Sequence, residues 1–533
     1  MRELWPLHSI YLSMRTTTYL LILLLPILLS AQQAPANWYL LDPQEDGVYG
    51  TSVTRAYDLL NDRIPEEVIV AVIDAGVEVD HDDLRNRVWT NPGEIPGNGL
   101  DDDGNGYVDD IYGWSFLGGP GGDIEHEALE LARIVKDMEQ YFAGKDTTQL
   151  SEEDQQRFAR YQQWQELFNQ EQQELETQYQ SVLGMVNLVD AVKAQSGGEF
   201  SKTALREYKP ASRKEKGMKA TLRVMMLFMN ATNLDHELRM GADQLGPLLT
   251  YNTMDTDSIR RAIVGDDPDD GTQRHYGCDR VEGPDAMHGT HVAGIIAAEQ
   301  GNGLGIEGIA RNARIMTLRT VPNGDERDKD VANAIRYAVD HGARVINMSF
   351  GKPYSLKKGL VDDAVRYAIS KDVLLVHAAG NEALDNDQVR FYPNRLLDDG
   401  TIATNWLEVG ASSSSRKRKK LTASFSNYGA TTVDVFAPGV DIYSTVPDNG
   451  YEDASGTSMA SPVAAGVAAL IRGYFPELSA AEVRDLLIRT AEPVKKKVRI
   501  PGGKARVHMN DLCISGGVIN AENAVRQLLA EGR

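Results

Sequence analysis

Cysteine is almost missing from this chain of 533 residues: Cys278 and Cys513 are the two it has. They can form one disulfide or stay free, and distance along the chain does not decide which. Neither lies in a Cys–His context, which argues against a thiol nucleophile. Positive charge is in deficit as well. Fifty-five Lys and Arg stand against 77 Asp and Glu, for a net charge of −22. A surface of that sign repels phosphate backbones and anionic lipid, so no nucleic acid and no anionic membrane is expected as a partner. The run Arg416-Lys-Arg-Lys-Lys420 opposes the trend, but it lies in a serine-rich stretch and reads as a solvated turn. Long apolar runs are lacking beyond the first thirty residues. The stretch from Tyr19 to Leu29 is too short to span a bilayer comfortably. With Arg15 before it and Ser30-Ala31-Gln32 after it, it has the order of an export leader. Residues 1–31 are therefore expected to be a signal peptide, with Met14 as an alternative start. The expectation is a periplasmic or extracellular protein without stable membrane insertion after leader removal.

What is present begins with a hydrophobic content of 42%, enough for a sizeable core in a chain long enough for more than one domain. Gly456-Thr-Ser-Met-Ala-Ser-Pro462 opens an apolar, small-residue helix with Ser458 at its start. Backbone N–H groups and the positive end of the helix dipole converge there, which suits a nucleophile beside a forming oxyanion. Pro462 is expected in the first turn, where a missing N–H costs nothing. By itself such a serine is an ordinary N-cap. Two more segments add to it. Val68-Ile-Val-Ala-Val-Ile-Asp74 is a continuous apolar run, as in a buried parallel strand, ending in a carboxylate and a glycine turn. His288-Gly-Thr-His291 opens a second small-residue helix; no Glu separates its histidines as in a zinc-protease helix, so a metal pair is disfavoured. A lipase elbow, Gly-x-Ser-x-Gly, is also disfavoured, because Ala460 stands where its second glycine would be.

Asp74, His288 and Ser458, in that order and with that wording around them, resemble the subtilisin-like serine proteases (subtilases). His377-Ala-Ala-Gly-Asn381 resembles the family's oxyanion-hole segment, and Asn347-Met-Ser-Phe-Gly351 its substrate-binding edge strand. The resemblance covers residues near 37–116 and 263–530. It implies a secreted serine endopeptidase acting on polypeptides through an acyl-enzyme. Asp74, His288 and Ser458 would be catalytic, and Asn381 with the Ser458 N–H would form the oxyanion hole. Ser349, Phe350, Gly351, Ala379 and Gly380 would bind substrate. Subtilases often carry a folding propeptide, and the stretch between leader and Asp74 is short for one. No C-terminal sorting domain is expected after residue 530. The rival reading is a catalytically silent relative that binds exported proteins through the segment that follows.

Alternating apolar runs and helical patterns predict an α/β fold: a mainly parallel sheet with helices on both faces, subtilisin-like, over 37–122 and 263–530. Strands are expected at Ile315–Arg319, Arg344–Ser349, Val373–Ala378, Ile402–Gly410 and Thr432–Ala437, and helices at Asp330–Gly342 and Leu360–Ser370. Residues 123–262 differ, being rich in Gln and Glu. Ser151-Glu-Glu-Asp154 resembles a capping box, and Tyr161, Trp164, Phe168, Leu175, Tyr179, Val182 and Val186 recur at helical spacing. Leu131, Val135, Met138 and Phe142 predict a shorter partner helix. This segment is expected to be an inserted α-helical subdomain packed on its own stripe, with a lid or built-in chaperone as the sharper reading. Finally, Asp101, Asp103, Asn105 and Asp109 alternate around Gly106, and Tyr107 can offer a carbonyl. This matches the first half of a calcium loop, so structural calcium is expected on Asp101, Asp103, Asn105, Tyr107 and Asp109. The twelfth position is Tyr112 instead of Glu, so a further acid has to come from Asp110 or elsewhere.

Overall fold

The structure is a computed structural model that describes residues 35–227, 229–417 and 419–533; the expected leader lies outside the described residues. The chain forms two compact units, one of residues 126–255 and one of residues 35–125 with 256–533. Among the described residues no helix is long and apolar enough to cross a membrane. Cys278 and Cys513 are both free thiols.

The larger unit is an α/β sheet structure. Besides two short two-residue hairpins (Gly118–Gly119 with Gly122–Asp123, and Val498–Arg499 with Arg506–Val507), its strands in chain order are β1 (Val68–Asp74), β2 (Gly113–Ser115), β3 (Ala313–Arg319), β4 (Val345–Met348), β5 (Leu374–Ala378), β6 (Trp406–Ser412), β7 (Val435–Pro438), β8 (Ile442–Val446), β9 (Gly450–Ala454), β10 (Glu492–Pro493) and β11 (Gly517–Val518). Nine of them make one sheet in the order β10-β11-β7-β6-β5-β4-β1-β3-β2, parallel throughout except for β10 against β11. Strands β8 and β9 pair as a separate antiparallel hairpin. The helices of this unit are α1 (Val53–Leu59), α2 (Thr256–Ile263), α3 (Met287–Ala297), α4 (Asp328–Asp340), α5 (Lys358–Ser370), α6 (Thr457–Tyr474), α7 (Ala480–Arg489) and α8 (Ala521–Ala530).

Strand β1 shows why its apolar run is unbroken. Val68, Val70 and Val72 face a core shared with α3 and α6, while Ala71 and Ile73 face a second core shared with α4 and α5. A strand covered on both faces has no side for water, so the period-two polar pattern vanishes. Helix α6 is buried all round, with Val463, Val467, Leu470 and Ile471 fully inaccessible. Each such side chain is worth about 1.5–3 kcal/mol of burial. Most expected strands and helices appear within two or three residues of their predicted ends. One strand starts late: β6 begins at Trp406, because Leu396 and Ile402 bridge each other and the Asn405 amide is drawn to the Val373 carbonyl, 2.6 Å away.

The 126–255 unit is helical. A helix Glu130–Phe142 precedes a 45-residue helix, Glu152–Ser196, whose N-cap Ser151 accepts from the Asp154 N–H. Shorter helices follow at Lys202–Glu207, Arg213–Met225 and Ala231–Tyr251. Its core gathers Val182, Met185, Val189 and Val192 from the long helix with Leu205, Leu222 and Leu234. Residues 256–262 fold with the sheet unit. The cause is Arg260 in α2, fully buried, which pairs with Asp266 at 2.7 Å and with both carboxylate oxygens of Asp330 at 2.8 and 2.7 Å.

Candidate active site

The C-terminal edge of the parallel strands is where open α/β sheets leave room for ligands. Asp74 is the last residue of β1 and is 1% exposed. Its Oδ1 accepts from the Ala75 N–H at 2.8 Å and meets His288 Nδ1 at 2.6 Å. His288 is the second residue of α3. The approach is close because the next residue is glycine: a Cβ on Gly289 would lie 2.1 Å from the Gly76 carbonyl oxygen. Partial desolvation disfavours charge on the His288 ring, whose side chain keeps 39% of its surface exposed, but the charge and hydrogen bond of Asp74 outweigh it and raise the pKa above 6.5. A carboxylate at Nδ1 holds the proton there and leaves Nε2 as the working atom.

His291, three residues on, behaves oppositely. It is fully buried, and its Nε2 faces the carbonyls of Ile442 and Glu452, each at 3.1 Å. Burial lowers its pKa to about 4, so it is a neutral tie from α3 to the β8–β9 hairpin.

Ser458 is the second residue of α6. Its hydroxyl donates to the Ser349 carbonyl at 3.1 Å, and the Ser349 hydroxyl donates back to the Ser458 carbonyl at 2.9 Å. Pro462 explains the return bond. It stands at the sixth helical position, later than the sequence suggested, so the N–H that would have bonded the Ser458 carbonyl is missing and the Ser349 hydroxyl takes its place. No hydrogen bond joins Ser458 Oγ to the His288 ring among the described residues. Such contacts are often unmade without substrate.

Asn381 follows β5 in a turn. Its Oδ1 accepts from the Thr457 N–H at 2.8 Å and the Thr457 hydroxyl at 3.0 Å. A backbone donor fixes which end of the carboxamide is oxygen, so Nδ2 is the opposite, free end. Neither Asn381 Nδ2 nor the Ser458 N–H makes a hydrogen bond among the described residues. Two unpaired donors thus flank the start of α6.

Ser349, Phe350 and Gly351 continue beyond β4. Lys352 exchanges both backbone bonds with Tyr392, at 2.9 and 2.8 Å, whereas the backbone groups of Phe350 and Gly351 pair with none of the described residues. That is an open edge for an added strand. Ala379 and Gly380 lie between β5 and Asn381. The Gly380 N–H donates to the Thr457 hydroxyl at 3.2 Å.

The acidic loop is assembled differently from its spacing. Carboxylate oxygens of Asp101 and Asp103 gather with Glu94, all within 4.8 Å of one another. Asp109 instead accepts from the N–H groups of Asn98 and Gly99, at 3.1 and 2.8 Å. Asn105 turns its oxygen to the Tyr107 N–H and its Nδ2 to Asp103 and Asp110. Tyr107 is buried. Asp110 points inward, bonded by Tyr337 and Asn91, and burial raises its pKa despite them. Glu94 lies seven residues before the spaced motif, so the motif could not show it. Thr457, whose N–H and hydroxyl orient the Asn381 carboxamide, is not singled out by the sequence either, because a group that orients another side chain carries no spacing of its own.

The family model of the subtilase family, Peptidase S8, matches residues 66–511. A thermophilic serine proteinase of Bacillus sp. (strain AK1) is 43% identical over 208 residues, 39% of this chain and 47% of that protein. Subtilisin DY of Bacillus licheniformis is 40% identical over 206 residues, 38% of this chain and 70% of that one. Among solved structures, a chain titled as proteases from Pseudoalteromonas arctica PAMC 21717 aligns over 92% of this chain and 97% of its own, at 18% identity and a TM-score of 0.47. The matched stretch thus spans about half of the thermophilic proteinase's length. With a family match over most of its length and a largely parallel nine-stranded sheet, the chain belongs to the subtilase family of serine-type endopeptidases.

Proposed function

We propose that this protein is an exported serine endopeptidase that cuts polypeptides through Asp74, His288 and Ser458. The observation that carries the reading is the 2.6 Å contact between Asp74 and His288 at the sheet edge. A hydroxyl is a poor nucleophile until a base takes its proton during attack. His288 Nε2 takes the Ser458 proton and returns it to the leaving amine. Asp74 holds the imidazole in the needed tautomer and stabilises its cation. Asn381 Nδ2 and the Ser458 N–H receive the oxyanion, the two donors left unpaired at the start of α6. The substrate lies extended along Ser349–Gly351, with Gly380 on its other side; Ala379, expected there too, is buried with its N–H bonded to Val409 and its carbonyl to Asn386 and Asn427.

Ser458→Ala is expected to abolish turnover of an unfolded casein-like substrate while circular dichroism and melting stay unchanged. An organophosphonate probe is expected to label Ser458. A folded protein that neither cleaves nor labels would favour a silent relative that binds exported proteins instead.

Glu94, Asp101 and Asp103 suit a hard divalent cation such as calcium, since all three offer carboxylate oxygen and like charges this close repel without a counter-ion. The cation would brace the 94–109 loop and take no part in the chemistry.

A further inference from the structure

The segment that carries Asn381 is held by a residue 46 positions later. Asn427 is fully buried and lies in none of the strands or helices. Its Nδ2 donates to the Ala379 carbonyl at 3.0 Å and to Glu382 Oε2 at 2.9 Å. Its Oδ1 accepts from the N–H groups of Glu382 at 3.0 Å and Leu384 at 2.9 Å. Its own N–H donates to the Gly380 carbonyl at 2.8 Å. A carboxamide has two donors and two acceptor sites, and here all four are used. Every one ends on residues 379–384, on both sides of Asn381. Gly380 makes the approach possible: its φ is +107°, and a Cβ there would sit 2.3 Å from Asn427 Nδ2. Asn427 is in turn anchored, since the Ser426 hydroxyl donates to its carbonyl at 2.8 Å and accepts from the Ala411 N–H of β6 at 2.9 Å.

We propose that Asn427 is a positioning residue for the oxyanion hole: it fixes the backbone at 380–382 so that the Asn381 amide, already tied by Thr457, meets the charge that develops on the substrate. The inference rests on the assignment of Asn381 as oxyanion donor. An oxyanion donor displaced by a fraction of an ångström loses part of a term that acts only in the transition state, so the cost falls on kcat and spares KM. A residue that merely adds stability would lower the melting temperature and leave kcat per folded molecule alone.

The test is a double-mutant cycle with a chromogenic peptide amide, using the full chain and kcat per titrated active site. Asn427→Ala is expected to lower kcat about tenfold or more with KM within about twofold, and to lower it less than about twofold when Asn381 is already alanine. Asn427→Asp, near-isosteric but without the two donors, carries the same cycle should the alanine variant fail to fold. Unchanged kcat in these variants, or an equal fall in the Asn381→Ala background, overturns the positioning role. If Asn381→Ala alone leaves kcat intact, the oxyanion assignment itself fails, which is a distinct result.

Discussion

The sheet unit and the helical unit bury their apolar residues in different ways. Helix α6 is enclosed all round, and the sheet beneath it has no wet face. The helix Glu152–Ser196 is 45 residues long, yet its core contribution comes mainly from Val182 to Val192, with Tyr161 and Leu167 the buried side chains earlier on. A helix enclosed on every side can hold the atoms at its first turn to a fraction of an ångström. A helix with one dry stripe can be lengthened or resurfaced at small cost. The sheet unit therefore has the properties that chemistry requires, and the helical unit has those of an adaptable attachment.

The largest effect that would break this contrast is at the sheet edge. Asp74→Asn places an N–H against His288 Nδ1 and favours the wrong tautomer; kcat is expected to fall on the order of 10⁴-fold, as in other enzymes with this constellation. The pH profile supplies the sign. On the proposed mechanism His288 acts as a base when neutral, and Asp74 raises its pKa above 6.5, so kcat/KM in the parent is expected to rise with pH through that raised value. In the variant the limb moves to lower pH. The same raised pKa stabilises the folded state below 6.5, a contribution lost as pH rises through the folded value. A limb at the same pH in both proteins would show that Asp74 does not act on this ring.

Next come two deletions. Removing 123–262 takes away Arg260 and leaves Asp266 and Asp330 buried beside Lys329 without it; the expected cost is about 3–5 kcal/mol, read as a lower denaturation midpoint. Removing 126–255, with a short Gly-Ser linker in its place, keeps that network and is expected to leave the midpoint nearly unchanged. If this shorter protein also cleaves large proteins at the parent rate, a lid or chaperone role for the segment is ruled out.

Leu205→Ala, in the core of the helical unit, is expected to destabilise that unit by about 2–4 kcal/mol in thermal melts while peptide hydrolysis stays within about twofold. A large loss of activity would overturn the separation of the two units. The smallest effect is expected from a chelator, a fall of a few degrees in melting temperature on the scale of ~1 kcal/mol, abolished by Asp101→Asn. No shift, with no bound metal by elemental analysis, would dismiss the cation.

What could be read in the sequence was local. Asp74, His288 and Ser458 each sit at a strand end or helix start and Asn381 in the turn after a strand, and the glycines and apolar runs around them are demanded by a few neighbouring residues. The two-sided burial of β1 was legible for the same reason. Interactions across long stretches of chain were not. Asn427 and Asn381 are 46 positions apart, and Glu94 precedes the acidic repeat it joins. Arg260 reads as one more charge on a helix until Asp330, 70 positions on, is brought against it. Pro462 stands a turn later than propensity, which favours the helix start, would put it, because the Ser349 hydroxyl serves the carbonyl that proline leaves bare.

The Arg260 network has a last consequence. The Glu125 carbonyl is tied to the Asn323 N–H, and Arg260 locks the chain soon after residue 255, so each seam is fastened on the catalytic side by its own bonds. What lies between the seams acts as a cartridge. A protease made this way can exchange whole modules at one port, acquiring new exosites without retuning the atoms that cut.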